Sequence, residues 1–121
     1  MPIPSNLVTI HPYFKIHPGK KDVVLSSLSV LVDLTSKESL CVFYDFTIMD
    51  DILYCREGFA GATGALQHMA NVGDAIKNVL VNSDMVRFEI HGKAEDLDQL
   101  RVPFESFNPS WFLFHYGVDR S

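Results

Sequence analysis

The sequence is short of the residues that mark specialised protein classes. It carries only two cysteines, Cys41 and Cys55, in 121 residues. That is too few for a disulfide scaffold, and they form no CxxC pair. Lysine and arginine number ten against fifteen acidic residues, for a formal charge of −5. No basic stripe forms of the kind a phosphate backbone requires, which argues against nucleic acid as a partner. No run of 18 apolar residues occurs, so no membrane-spanning helix is expected. The opening stretch MPIPSNLVTIHP lacks the basic-then-apolar layout of a secretory leader. With the sparing use of cysteine, this leads to the expectation of a cytoplasmic protein with two free thiols. Internal repeats, low-complexity tracts and linker-like changes of composition are missing too, so residues 1–121 read as one domain. There is no nucleophile elbow, P-loop or dinucleotide fingerprint; Gly58, Gly61 and Gly64 do not make a GxGxxG.

What the chain does have is apolar material, 47% of its residues, including nine phenylalanines. A small domain has much surface for its volume, so this content predicts a further buried face, most simply a subunit interface. Residues 7–16 alternate as a strand, with Val8, Ile10, Phe14 and Ile16 on one face and Thr9, His11, Tyr13 and Lys15 on the other. Pro12 suggests an edge position or a bulge. Residues 20–36 read as a helix with Val24, Leu28, Leu31 and Val32 on its apolar side. Residues 40–48 form a nearly continuous apolar run, a strand covered on both faces. Asp50-Asp51 turns that strand back into a third one, over 52–56, as an antiparallel hairpin. Gly58, Gly61 and Gly64 then allow a turn into a helix that carries His68, with Ala62, Ala65, Leu66 and Met69 as its apolar stripe. A short helix over 74–81, a strand over 85–91, a surface helix over 94–100 and an aromatic strand over 111–118 complete the chain.

The order is β-α-β-β-α-β with a final added strand. It defines an α+β, ferredoxin-like plan with helices on one face of an antiparallel sheet. Helices cover one face only, yet the second and fifth strands read as covered on both. A second copy of the sheet is the natural cover, which gives a homodimer closed into a dimeric α/β barrel. Cys41 and Cys55 lie on the paired second and third strands, but the turn places Cys41 opposite a residue well beyond Cys55, too far for a bridge.

Three pieces of this sequence carry a family likeness: Phe43-Tyr44-Asp45-Phe46, Tyr54-Cys55-Arg56-Glu57-Gly58-Phe59 and Leu66-Gln67-His68-Met69. Together they resemble the antibiotic-biosynthesis-monooxygenase-like dimeric α/β-barrel proteins, which include small cofactor-independent quinol monooxygenases. The resemblance implies oxidation of a small aromatic or quinol-type substrate by dioxygen, with no flavin, haem or metal cofactor. It makes His68 the acid–base or anchoring group, with Tyr44, Phe46, Arg56 and Trp111 binding the ring. A non-enzymatic dimeric binder of a small ligand is the alternative on the same fold. A haem-degrading relative, for which Asn6 and His68 would serve, is a third.

Taken residue by residue, the candidates leave choices open. His68 is either a proton-transferring group beside a pocket or a core histidine satisfied by a neighbour. His11, His91 and His115 fall on strands without metal-ligand spacing, so no metal site is expected. His17, beside Pro18, reads as a solvated turn residue. Arg87, Glu89 and His91 share a strand face, and Arg87 with Glu89 suits an ion pair at a subunit interface better than catalysis. Arg56-Glu57 could hold a ligand or pair with neighbours. Phe14, Tyr44, Phe46, Trp111 and Phe114 could line a slot for a flat ring or simply fill the core, Tyr44 and Trp111 having the polar tips that suit a pocket. Neither cysteine has a histidine or helix N-terminus placed to activate it.

Overall fold

The computed structural model describes residues 3–119. Its elements follow in the order β1 (Leu7–Ile16), α1 (Lys21–Thr35), β2 (Cys41–Met49), β3 (Ile52–Ala60), α2 (Gly61–Val72), α3 (Lys77–Leu80), β4 (Ser83–Gly92), α4 (Ala94–Leu100), a 3₁₀ turn (Glu105–Phe107) and β5 (Ser110–Leu113). The strands make one sheet in the order β2-β3-β1-β4-β5. Every pairing is antiparallel except that of the added strand β5, which runs parallel to β4. This is the ferredoxin-like arrangement with a fifth strand at one edge.

The period-2 alternation of β1 decides which side is the core. Val8, Ile10, Phe14 and Ile16 are buried, while Thr9, His11 and Tyr13 are only half-covered on the opposite side. β1 lies at the centre of the sheet, and the irregularity hinted at by Pro12 appears one residue later, where pairing with β4 shifts between Tyr13 and Phe14. The buried side divides into two clusters. One joins Val8, Ile10, Phe59 and Ile90 to α2 and α4 through Ala62, Ala65, Leu97 and Leu100. The other joins Phe14, Ile16 and Leu53 to Val24, Leu31, Val72 and Val79 on α1, α2 and α3.

β3 is longer than its sequence suggests. It runs on from Arg56 to Ala60 because β1 and β2 flank it throughout, with Leu7 opposite Ala60 and Cys41 opposite Phe59. Gly58 is therefore a strand residue, and a Cβ there would lie 2.5 Å from the Phe43 ring on β2. That register also separates the two cysteines, since Cys41 faces Phe59 rather than Cys55 and both thiols are free. Asp50 makes the β2–β3 turn with φ +55°.

Two elements are shorter than the sequence suggests. The helix expected over 74–81 is a single turn, Lys77–Leu80. The aromatic strand expected over 111–118 stops at Leu113. Its neighbour β4 ends at Gly92, opposite Leu113, and after the bond from Phe114 N to Gly92 O (2.7 Å) there is no strand edge left to pair with. Phe114, Tyr116 and Val118 consequently stand exposed.

Candidate active site

Strand alternation places Glu57 and Arg56 on opposite faces of β3. Glu57 points in, with its side chain 10% exposed, while Arg56 points out to Asp45 on β2 at 2.7 Å. The Arg56 guanidinium also lies over the Phe43 ring, 4.8 Å from its centre. The pair is thus solvent-facing and carries little energy.

α2 delivers His68 to the inward carboxylate. The helix packs closely because its sheet-facing positions are Gly61, Ala62, Gly64 and Ala65, all buried. A Cβ at Gly64 would come within 3.2 Å of the Leu40 carbonyl oxygen and within 3.1 Å of its Cβ, so only glycine allows this approach without movement. The N-terminus of α2 is held by Asp96 of α4, whose Oδ1 accepts the Ala62 N–H at 2.9 Å. Two turns along from Gly61, His68 is 5% exposed, its ring between Tyr44 and Phe59 at centroid distances of 5.0 and 4.7 Å.

Both imidazole nitrogens meet carboxylates. Nε2 lies 3.3 Å from Glu57 Oε1, and Nδ1 lies 2.9 Å from Glu38 Oε2, in the segment following α1. The Asn71 side-chain amide donates to the same Glu38 oxygen at 2.8 Å and to the Leu34 carbonyl at 3.0 Å, which fixes Glu38 against α2. Burial alone would lower the pKa of His68. The hydrogen bond and charge of Glu57, then those of Glu38, outweigh it and hold the imidazole above its ordinary value. The two carboxylates thus favour the protonated imidazole.

Two neutral donors complete the polar patch. Burial, with the charges of Cys55 and Glu57, drives the Tyr44 phenol far above its ordinary pKa, against an opposing interaction with Thr35. Burial, and after it Glu57, does the same to the Cys55 thiol. Both keep their protons at any physiological pH. Cys41 is pushed up to about 11, first by burial and then by Glu38 and Glu57, so it is no nucleophile either.

Beside this patch lies a cavity of about 220 Å³ between the two core clusters. Tyr44, Glu57 and His68 form its polar wall, and Ile10, Phe14, Met69, Val72, Phe88 and Phe104 supply much of the apolar remainder. Of the ligand-binding residues expected from the sequence, Tyr44 lies here beside His68. Phe46 packs on the cluster around Phe14 without lining the cavity. Arg56 is on the other face of the sheet. Trp111 packs against the α2–α4 cluster, with Arg101 stacked 4.9 Å from its ring centre. Sequence reasoning missed Glu38 altogether and left Glu57 undecided. The signal for Glu57 was there: in a strand beginning at Ile52, it shares a parity with Leu53, Cys55 and Phe59. None existed for Glu38, which lies thirty residues before His68 in an irregular segment.

On the opposite sheet face, Glu89 joins Arg87 and His91, the latter at 2.8 Å, and His11 bonds Tyr54 at 2.7 Å. His17 meets Asp84 at 3.1 Å in an exposed turn.

The structure is an α+β protein of ferredoxin-like plan with a buried histidine held between two carboxylates where helices meet the sheet. Solved structures share this fold. MupZ from Pseudomonas fluorescens is 30% identical, superposes with a TM-score of 0.89 and is matched over 95% of each chain. A protein described as an antibiotic biosynthesis monooxygenase is 18% identical over 69% of this chain and 92% of its own, with a TM-score of 0.60. A putative antibiotic biosynthesis monooxygenase from Caulobacter crescentus is 14% identical over 71% and 88%, with a TM-score of 0.63. No family model matches the sequence, and neither does any curated protein. The chain belongs to one family with MupZ and shares the fold of the antibiotic biosynthesis monooxygenase structures.

Proposed function

We propose that this protein is an acid–base enzyme in which Glu57 and His68 move a proton on a small, largely apolar substrate held in the cavity. One observation carries the reading: a carboxylate–imidazole–carboxylate array, each side chain at most 10% exposed, presents Glu57 and His68 to a largely apolar cavity. Ionised groups are costly to bury, and titratable groups held this way cluster at functional sites. Glu57 is the base, since the carboxylates on either side of His68 favour its protonated form, which cannot accept. Tyr44, a neutral donor on the same wall, is placed to hold an oxygen that gains negative charge.

The reaction we assign is oxygenation of a quinol-type ring without a cofactor, on the strength of the family names its relatives carry. Loss of a hydroxyl proton to Glu57 makes the ring electron-rich enough to reduce dioxygen directly; the quinol supplies all four electrons and ends as a hydroxylated quinone, one oxygen atom staying on the ring and the other leaving as water with two of the substrate's hydrogens. The array suits this step because transfer of the proton to Glu57 forms a substrate anion without changing the total charge of the site. Haem does not fit, since both nitrogens of His68 are held by carboxylates and neither is free for iron. We further propose a homodimer through the open sheet face. Exposed Phe112 and half-covered Tyr13, His11 and Tyr54 lie there without a helix over them.

Oxygen uptake with a panel of hydroquinones and naphthols tests the activity, with an absorption spectrum of the pure protein run first. Wild-type protein should consume oxygen with at least one ring, and Glu57→Gln should reduce the rate by about 10²–10⁴. Binding of these rings with no uptake by any of them would make the protein a binder instead. Sedimentation should give about twice 13.6 kDa; a monomer would remove the dimer.

A further inference from the structure

Glu38 has a second surroundings of its own. Its Oε2 is engaged by His68 and Asn71, but Oε1 is buried without a hydrogen-bond partner, in a side chain only 7% exposed. Glu38 also lines a second recess, of about 210 Å³, with Val32, Thr35, Ser36, Cys41 and Tyr44. Among the described residues, Tyr44 alone lines both this recess and the substrate cavity. The rim carries Ser36 and Val32, both exposed, so the recess approaches the surface beside the C-terminal end of α1. His68 therefore has one nitrogen directed to the substrate side, through Glu57, and the other to this separate opening, through Glu38.

We propose that Glu38 is a proton port, which loads and unloads His68 through the second recess while the substrate cavity is occupied. The idea rests on the acid–base reading above and deepens it. An apolar substrate in the cavity keeps water from Glu57 and from Nε2, so protons taken up there need another way out. When Glu57 accepts the substrate proton, the imidazolium gives its Nδ1 proton to Glu38 Oε2. Neutral imidazole with Nε2–H remains, facing the newly formed carboxylic acid of Glu57. Glu38 then releases the proton to water in the recess, and the array returns to the single negative charge it had at the start. The reverse sequence reloads His68 when Glu57 surrenders its proton. The other titratable groups around the array are the Tyr44 phenol from β2 and the Cys41 and Cys55 thiols from β2 and β3. All three stay protonated, so none competes as the port.

Solvent exchange of the His68 Nδ1 proton, followed by NMR on ¹⁵N-histidine-labelled protein, tests the port without needing a substrate. Glu38→Gln retains an acceptor for Nδ1–H but cannot carry a proton. It should slow exchange by about 10²-fold, the lower end of what a proton-transfer group contributes. Val32→Trp, at the exposed rim, should slow it with Glu38 intact and covers the case in which Glu38→Gln folds poorly. Val72→Phe, which narrows the substrate cavity, should leave the rate unchanged. Exchange at the wild-type rate in the folded Glu38 or Val32 variant, or slowing by Val72→Phe instead, would overturn the port. Neither result depends on turnover, so a protein that oxygenates nothing can still pass, and an active enzyme can still fail.

Discussion

Replacing His68 with leucine fills the same space and takes away the cation that Glu38 and Glu57 share. Both carboxylates are at most 10% exposed, so water cannot take over its role, and no discount for surface screening applies. Breaking a buried pair by removing one partner costs about 3–5 kcal/mol, because a charge is left uncompensated. Glu38 retains Asn71, so Glu57 is the more exposed to this loss. For a domain of this length the melting temperature should fall by roughly 10–25 °C. The effect has a definite pH signature. The folded-state pKa of His68 lies above its unfolded value, so its stabilising contribution is complete below about pH 6.5 and is lost as pH rises through the folded value. In the variant that contribution is gone. The gap between wild type and variant should therefore be wider near pH 6 than at pH 9. Urea unfolding at both pH values, with equal m-values required, measures it. Replacing Glu38, Glu57 and His68 together by apolar residues should recover most of the loss, as it does for other buried ionic groups. A single-variant cost under about 1 kcal/mol, equal at both pH values, would refute a buried charged array.

Asp96→Ala removes the acceptor of the Ala62 N–H and leaves a buried donor unpaired, so about 1–3 kcal/mol should be lost in thermal or urea unfolding. Both cysteines should resist alkylation at pH 8 in the native protein and react fully in denaturant without reductant, because burial raises each thiol's pKa and neither is bridged. Arg56 and Trp111 do not line the cavity beside His68, so Arg56→Ala and Trp111→Phe should leave ring binding unchanged by calorimetry. Tyr44→Phe should weaken turnover more than binding if its hydroxyl holds developing charge.

Much of the architecture was legible from residue order alone. The alternation of Val8, Ile10, Phe14 and Ile16 fixes β1 and its buried side, and the apolar spacing around Ala62, Ala65 and Met69 fixes the helix bearing His68, because these periods are properties of the local backbone. The length of β3 was not local. It depends on the strands that flank Gly58 and Phe59, and the end of β5 depends on where β4 stops. The site divides in the same way. A histidine on the apolar side of a helix shows itself in sequence, as does a glutamate whose strand parity matches buried neighbours. What those groups are to each other was decided by tertiary structure, because an ion array is a matter of distance. α2 approaches the sheet closely at Gly64, and that approach brings together a strand residue, a helix residue and one from the loop after α1. Arg56 and Glu57 show the same division most plainly. Adjacent in sequence and alike as ligand candidates, they are sent by the pleat of β3 to opposite faces, one to solvent and one to the imidazole.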